Sequence, residues 1–310
     1  MLKARHVKMS VHADIPVIDI SAFAGGTPMT RLSIGRHIVE ACEDWGFFFL
    51  KGHGISQGEI DNWFKAARQF FDKPQAFKDR YSIAHSDRFQ GYEPPKSSES
   101  KEAYVLGPER DADDPLVEQS IKYHGSNTWP EIDGWRETAM RQMDTMLTLA
   151  KRINRGLALG LGVRENAFDR ISKDPMYALR YLHYTPSNIT GINTHTDWGM
   201  LSLVIQDQTP GLEIQGFDGK WLRVPVMKDA ILVNVGEMVE IFSGGQITAT
   251  PHRVVNRGEK DRYSMAFFLD MDHDAVLRPV TETGKMRYKP ITVSEFIDKM
   301  HMRDYKGEQK

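Results

Sequence analysis

A region of short apolar segments begins with ALRYLHYTP (178–186), GINTHTD (191–197) and MLSLVIQD (200–207), and this region decides the fold. The same pattern continues, with glycines or prolines between the segments, in LEIQGFDGKWLRVPV (212–226), AILVNVGE (230–237), ITATPHRVVN (247–256) and RYSMAFFLDMD (262–272). Such short, regularly spaced strands with no helical pattern between them are typical of a β-sandwich, a jelly roll or a small barrel, and not of alternating βα units.

The sequence before this region is mixed and mostly helical. It predicts a strand over 15–23, a helix over 29–45, a buried aromatic strand over 46–55, a helix over 61–71 and a long amphipathic helix over 138–161. Residues 83–125 hold many glycines, prolines and charges, which predicts a long irregular region of the kind that lines binding sites. The fold class is therefore α+β, mainly β, with helices around a β core.

No repeat or low-complexity linker divides the chain, so a single compact unit is expected. We divide it into an N-terminal region, 1–125, packed on a core, and residues 126–310, which supply the long helix and the strands. The 310 residues are 40% hydrophobic and 26% charged, which is typical of a folded globular chain and excludes a disordered, collagen-like or coiled-coil protein.

Charge and cysteine content exclude further classes of function. Lysine plus arginine number 40 and aspartate plus glutamate 42, so a net charge of −2 offers no field that attracts nucleic acid or an anionic membrane. The single cysteine, Cys42, forms no intrachain disulfide, and the basic N-terminus lacks the apolar stretch of a secretory signal. The sequence predicts a cytoplasmic protein with no nucleic-acid or membrane partner, and it leaves the oligomeric state open.

Five side chains on the predicted strands carry the chemistry. His195 and Asp197 lie two residues apart, so on a strand both project from the same face, and His252 follows on another strand. Two histidines and one carboxylate form the facial triad that suits ferrous iron, because three positions of the metal stay open. Arg262 and Ser264 share a strand face and together suit a carboxylate, which an arginine binds in bidentate fashion.

Each of these features alone has an ordinary alternative. A His-x-Asp triplet arises often by chance, and a single strand histidine is commonly a hydrogen-bonded core residue. An Arg-x-Ser pair is common at solvated strand edges, where an ion pair contributes little stability. The order, spacing and strand context of all five together favour a functional site.

The sequence resembles the iron(II)- and 2-oxoglutarate-dependent oxygenases of the isopenicillin N synthase type, and the resemblance covers nearly the whole chain. It rests on IPVIDIS, WGFFFLKGHGI, LRYLHYTP, THTDWGMLSLVIQD, TPGLEIQ, LVNVGEMVEIFSGGQITATPHRVV and RYSMAFFLD. The resemblance implies a double-stranded β-helix, or jelly-roll, core flanked by helices. It also implies an enzyme that uses Fe(II), O2 and 2-oxoglutarate and releases succinate and CO2 while it hydroxylates, desaturates or cyclises a small molecule.

The resemblance also assigns roles to individual residues. Iron would be held by His195, Asp197 and His252, and the distal carboxylate of 2-oxoglutarate by Arg262 and Ser264. Tyr184 would hydrogen-bond the same cosubstrate. In this chain one threonine separates that tyrosine from the following proline, where the family usually has Tyr-Pro directly.

Three other functions are compatible with parts of the pattern. An iron(II) oxidase of the same fold, similar to isopenicillin N synthase or aminocyclopropanecarboxylate oxidase, would carry the same Arg-x-Ser pair without using 2-oxoglutarate. A zinc hydrolase could use the same three ligands with a water, although no H-E-x-x-H helix is present. A non-catalytic jelly-roll binding protein is the third alternative, and the intact set of ligands counts against it.

Five further residues are candidates for contact with the primary substrate. By strand parity Arg180 faces the pocket and pairs with an acidic substrate group, unless it is an ordinary surface arginine. Phe268 shares a face with the Arg-x-Ser pair and walls the substrate side, unless it is a plain core residue. In the family that the sequence resembles, the irregular region at 83–125 tends to approach the iron, so the resemblance implies an aromatic lid from Phe89, Tyr92 and Tyr104.

Overall fold

The computed structural model describes residues 12–86, 88–187, 189–281 and 289–306 of the chain. The N-terminus, for which the sequence predicts no secretory signal, includes residues 1–11, and these lie outside the described residues.

Seven α-helices are formed by the described residues, and local sequence explains where the first two begin and end. They are α1 (Pro28–Trp45), α2 (Gln57–Phe71), α3 (Gln75–Asp79), α4 (Pro115–Glu118), α5 (Trp135–Gly160), α6 (Glu237–Phe242) and α7 (Val293–Lys306). The Thr27 side chain caps α1, which ends at Gly46 in the left-handed conformation. At α2, Ser56 and Glu59 form a reciprocal capping box. The predicted helices at 29–45, 61–71 and 138–161 are therefore present.

Fourteen strands are found among the described residues. They are β1 (Val17–Asp19), β2 (Phe47–Lys51), β3 (Gly91–Glu93), β4 (Lys101–Leu106), β5 (Tyr177–Tyr184), β6 (Ile192–His195), β7 (Leu201–Gln206), β8 (Leu212–Gln215), β9 (Trp221–Arg223), β10 (Ile231–Val235), β11 (His252–Val254), β12 (Arg262–Leu269), β13 (Val276–Leu277) and β14 (Ile291–Thr292). Each of the seven predicted segments after residue 177 contributes at least one strand.

Two sheets build the β core. The larger has eight strands in the order β1-β2-β10-β7-β12-β5-β4-β3, and the smaller has four in the order β6-β11-β8-β9. Only β1 and β2 pair in parallel among the described strands of these sheets, and the other pairs are antiparallel. The architecture is the jelly roll flanked by helices that the sequence predicts.

The irregular region predicted at 83–125 is wrong in part. It contains β3 and β4, and β4 pairs along its whole length with β5, so this segment extends the larger sheet. Glycines and prolines lie on both sides of these short strands, so their sequence was interpreted as irregular and not as two strands. Because β1 to β4 all join the larger sheet, the backbone of the N-terminal region is hydrogen-bonded to strands that come later in the chain. The division at residue 125 stays a prediction.

The long helix α5 packs on α1 through glycines that permit close approach of the two backbones. A methyl group on Gly35 of α1 would lie 2.5 Å from the Gly156 carbonyl oxygen of α5, and one on Gly160 would lie 2.1 Å from the Gly35 carbonyl oxygen. The inward face of α5 is buried in the same hydrophobic core as β7 and β12. The helices therefore brace the larger sheet from behind and leave its other face to the site.

No helix in the described part of the chain has the length and apolar character that crossing a membrane requires. The cytoplasmic location stays a prediction.

Candidate metal centre and cavity

Three of the predicted site residues converge at one end of the smaller sheet. His195 ends β6 and His252 begins β11, and the two residues are direct partners in the antiparallel register of these strands. Asp197 lies just past the end of β6, not on the strand as predicted, but its carboxylate reaches the same point. One ligand atom from each of the three residues lies within 4.8 Å of the other two.

The hydrogen bonds of the two imidazoles aim the same ring nitrogen of each at this point. Nδ1 of His195 lies 2.8 Å from the carbonyl oxygen of Asn193, and Nδ1 of His252 lies 3.1 Å from that of Thr250. A carbonyl oxygen only accepts, so each Nδ1 carries the proton and donates it. Both Nε2 atoms are thereby left with free electron pairs, each 3.7 Å from the same oxygen of Asp197.

The two oxygens of Asp197 have different tasks. Oδ2 accepts hydrogen bonds from the Ser202 hydroxyl and, at 2.7 Å, from the Asn234 amide, whereas Oδ1 faces the two imidazoles. Burial raises the pKa of Asp197, but the neighbouring histidines and these two hydrogen bonds outweigh it, so its pKa lies below the ordinary value. The aspartate is therefore held as a carboxylate with one oxygen directed at the centre.

Burial, which favours the neutral form of any side chain, lowers the pKa of the second histidine instead of raising it. His252 is buried and packs edge-on against Phe47, with ring centroids 5.4 Å apart. Burial, followed by the neighbouring His195, lowers the pKa of His252 to about 4. At neutral pH this imidazole is neutral, which is the state that binds a metal.

Arg262, Ser264 and Tyr184 form a buried polar cluster on the inward face of the larger sheet. Arg262 on β12 pairs in register with Tyr184 on β5, and its guanidinium carbon lies 4.8 Å from the centre of the tyrosine ring. It donates hydrogen bonds to Ser264 (3.3 Å) and to the side-chain oxygen of Gln206 (3.0 Å). Among the described residues no carboxylate pairs with this buried guanidinium, and its Nε has no hydrogen-bond partner. A buried arginine in this state suits an anionic ligand.

A cavity of about 360 Å3 opens in front of the triad. His195 and Asp197 line it, as do the predicted substrate contacts Arg180 and Phe268. Arg180, however, is held at 2.6 Å by Glu93 of β3. Burial raises the pKa of Glu93, but Arg180 and a neighbouring lysine outweigh it and bring that pKa to about 2. The guanidinium thus already has an acidic partner inside the protein, which the sequence did not reveal.

The predicted aromatic lid is wrong for two of its three residues. Tyr92 and Tyr104 are fully buried on the other face of the sheet, where their hydroxyls donate to Glu102 and to the carbonyl oxygen of Thr128. On β3 and β4 successive side chains point to opposite faces, and the neighbours Glu93 and Val105, not the tyrosines, face the cavity.

Phe89 does line the cavity, in a left-handed backbone conformation with φ of 56°. Its ring stacks on His301 of α7 at 4.7 Å, and Tyr123 lies 5.5 Å from the same imidazole. His301 also meets Trp198 edge-on at 4.8 Å. The mouth of the cavity is therefore aromatic, but Phe89 is the one of these four rings that was named from the sequence, and His301 comes from the last helix.

Sequence reasoning also missed Ser202 and Asn234, which orient Asp197. A signal for Asn234 was available, because it is the one polar side chain in the buried strand β10. Such a residue needs a hydrogen-bond partner, and the pairing of Asn234 with Ser202 across β10 and β7 places both at the aspartate.

Two family profiles match the chain. Residues 15–132 match the N-terminal region of the non-haem dioxygenase in morphine synthesis, and residues 173–271 match the 2OG-Fe(II) oxygenase superfamily. The 2-oxoglutarate-dependent dioxygenase citB of Monascus ruber is 33% identical over 298 residues, which cover 87% of this chain and 89% of the relative.

Solved structures of the same architecture are also similar. A full-length Neurospora crassa protein in complex with alpha-KG, which is 2-oxoglutarate, superposes with a TM-score of 0.85 at 24% identity, covering 96% of this chain and 99% of its own. The same protein in complex with alpha-KG and 5-formyluracil gives a TM-score of 0.82 at 25% identity, covering 94% and 98%. The first similarity supports the jelly-roll fold.

Proposed function

Because the chain belongs to the 2OG-Fe(II) oxygenase superfamily and is a 2-oxoglutarate-dependent dioxygenase, we propose which of its residues run that reaction. His195, Asp197 and His252 hold the iron, and Arg262, Ser264 and Tyr184 hold 2-oxoglutarate. The primary substrate occupies the cavity in front of the metal.

The convergence of two neutral imidazoles and one carboxylate on a point at the cavity wall carries this proposal. Three ligand atoms within 4.8 Å of one another match the donor set of a non-haem iron(II) site, and the cavity leaves the remaining positions accessible. When bound, the metal supplies oxygen activation coupled to the oxidative decarboxylation of 2-oxoglutarate to succinate and CO2. The protein supplies position, charge and exclusion of water.

The chain holds the three ligands in place before any metal arrives. Carbonyl oxygens fix the tautomer of each histidine, and Ser202 and Asn234 fix the orientation of Asp197. Such supporting hydrogen bonds raise metal affinity because fewer side-chain rotations are lost on binding.

Arg262 supports the binding of the cosubstrate. Its buried guanidinium has only neutral partners among the described residues, so a carboxylate that reached it would gain charge-assisted hydrogen bonds with little competition from water. Ser264 adds a hydroxyl on the same face. Tyr184 lies against the guanidinium and closes the other side of the cluster.

A small-molecule substrate fits the dimensions of the cavity. A volume of about 360 Å3 suits a compact organic molecule and not a polymer chain. The Neurospora crassa protein that forms complexes with thymine and with 5-formyluracil supports a substrate of this size. Phe268 supplies an apolar wall, and Phe89 lies at the cavity mouth.

Anaerobic titration of the Fe(II)-loaded protein with 2-oxoglutarate tests the proposal. We expect a visible charge-transfer band in the wild type, no band in His195→Ala, and a band only at much higher 2-oxoglutarate concentration in Arg262→Met. The controls His37→Ala and Arg36→Met change exposed residues of α1 and should behave as the wild type. A normal band in His195→Ala would overturn the metal assignment, and an unchanged affinity in Arg262→Met would overturn that of the cosubstrate.

A further inference from the structure

Asp270 extends the inward face of β12 by one more position. Side chains alternate along a strand, so Asp270 follows Phe268 and Ser264 on the face that looks into the jelly roll. It lines the same cavity as His195 and Asp197. Neither the iron nor the 2-oxoglutarate assignment uses this carboxyl group.

The acids of the cavity wall differ in their partners. Glu93 is bonded to Arg180 at 2.6 Å, and Glu99 accepts a hydrogen bond from the backbone N–H of Asn193 at 2.9 Å. Asp270 has neither a hydrogen bond nor an ion pair through its carboxyl group with any residue that the structure describes. Its own backbone N–H is bonded within the sheet, so the backbone is fixed while the side chain keeps its bonding capacity.

The fold makes room for this carboxyl group beside the loop that follows Asp197, which we call the metal loop. A methyl group on Gly199 would lie only 2.3 Å from Oδ1 of Asp270, so the absence of a side chain at 199 lets the carboxyl group lie against that backbone. Burial, with the nearby charge of Asp197, raises the pKa of Asp270 to about 7. Asp270 is half-buried. An acid that has lost part of its hydration without gaining a partner is costly, and a ligand that supplies a hydrogen-bond donor removes that cost.

Aromatic side chains surround the same part of the cavity. Phe268 lies two residues before Asp270, Tyr177 lies opposite the end of β12 in the register, and Trp198 lines the cavity beside the metal loop. Aromatic faces accept an apolar or ring-shaped body, and they also attract a neighbouring ammonium. The wall therefore combines an acceptor with no partner and an apolar surface.

We propose that Asp270 binds an amino group or a ring N–H of the primary substrate, which is therefore a small nitrogen-containing molecule with an apolar or aromatic body. This inference rests on the proposed function, because it places the substrate in the cavity in front of the metal. Asp270 is in this view a specificity-determining residue that takes no part in holding iron or 2-oxoglutarate.

Matched probes of one carbon skeleton test the inference. Benzylamine, benzyl alcohol and phenylacetate are titrated into the full-length protein loaded with Mn(II) and 2-oxoglutarate, and binding is followed by ligand-observed NMR. We expect the wild type to bind benzylamine at least tenfold more tightly than the other two. Asp270→Asn, which keeps the shape of the side chain, should lose this preference, whereas Glu99→Gln, which removes an acid already bonded in the same wall, should keep it.

The outcomes separate this inference from the proposed function. Absence of a benzylamine preference in the wild type, or a preference that survives Asp270→Asn, overturns the role of Asp270. Binding of 2-oxoglutarate is measured in the same samples. If it fails in the wild type, the proposed function fails; if it persists in both proteins while no benzylamine preference exists, only the present inference fails.

Discussion

Two clusters of imidazole and carboxylate groups, one with its histidines on the smaller sheet and one on the larger sheet, differ in the partners of their ring nitrogens. One, which we call the metal centre, is the proposed iron site of His195, Asp197 and His252. The other, which we call the charge cluster, consists of Lys78, Glu102, His183 and Asp261. The same residue types thus occur in both, so composition alone does not distinguish a metal site from a structural network.

In the charge cluster every strong group already has a partner. Glu102 is bonded to Lys78 and to His183, each at 2.7 Å, and the second ring nitrogen of His183 lies 3.0 Å from Asp261. In the metal centre each imidazole uses only one nitrogen for the protein and directs the other toward an aspartate oxygen 3.7 Å away. An unused electron pair that is directed at a shared point therefore distinguishes the proposed metal site from the charge cluster.

The largest expected effect comes from removing one imidazole from each cluster. His252→Ala should lose stoichiometric Fe(II) binding and reduce succinate formation to background, because two ligands cannot hold the metal open and in place. His183→Ala should still bind one Fe(II) per folded chain. Metal analysis after gel filtration checks both, and full iron loading of His252→Ala would contradict the distinction between the clusters.

The second effect is on stability and belongs to the charge cluster. Glu102→Gln leaves the buried ammonium of Lys78 without its counter-charge, so the free energy of unfolding should fall by about 3 to 5 kcal/mol. Urea denaturation measures this loss. Glu131→Gln breaks the exposed pair with Arg80 and should cost less than about 1 kcal/mol. Equal losses in the two variants would show that the charge cluster does not stabilise the fold.

The third prediction concerns the hydrogen bonds that support the metal centre. Asn234→Ala removes a donor to Asp197 without touching a ligand, and we expect Fe(II) affinity to fall by roughly 10- to 100-fold. Competition with a chelator of known affinity gives the value. The exposed Asn166→Ala is the control, and an unchanged affinity in Asn234→Ala would remove this residue from the metal centre.

The convergence of the three proposed iron ligands could be predicted from the sequence for a physical reason. Strand parity and spacing are local properties, and the chemistry of iron selects few residue types, so His195, Asp197 and His252 could be named before the structure. The register that places His195 opposite His252 explains why these two residues, 57 positions apart in the sequence, lie side by side.

The outer wall of the cavity was predicted less well, because its contacts join segments far apart in the sequence. Arg180 is paired by Glu93, 87 residues away, and Phe89 stacks on His301 from the last helix. Neither pairing has a periodic signal. Tyr92 was assigned to the cavity because β3 had not been recognised, so the parity of its side chain could not be applied.

The smallest expected effect is a pH dependence of stability from the charge cluster. Burial lowers the pKa of His183, but Glu102 and Asp261 outweigh it, so its pKa lies above the ordinary 6.5. Other groups that face this network are Lys78 and Tyr92, both bonded to Glu102, and Tyr263, stacked on the imidazole at 4.5 Å. The raised pKa means that protonated His183 stabilises the folded state fully below pH 6.5, and that this contribution is lost as the pH rises through the folded-state pKa.

His183→Gln should therefore lower the free energy of unfolding more at pH 6 than at pH 9. The pKa of Glu102 lies below its ordinary 4.5, so this acid stays charged across the range and the change reports on the histidine. Urea denaturation of the two proteins at both pH values gives the difference, with the exposed His37→Gln as the control. A cost that stays constant from pH 6 to 9 would mean that His183 is neutral in the charge cluster, and the contrast with the metal centre would then lie only in which nitrogens are bonded.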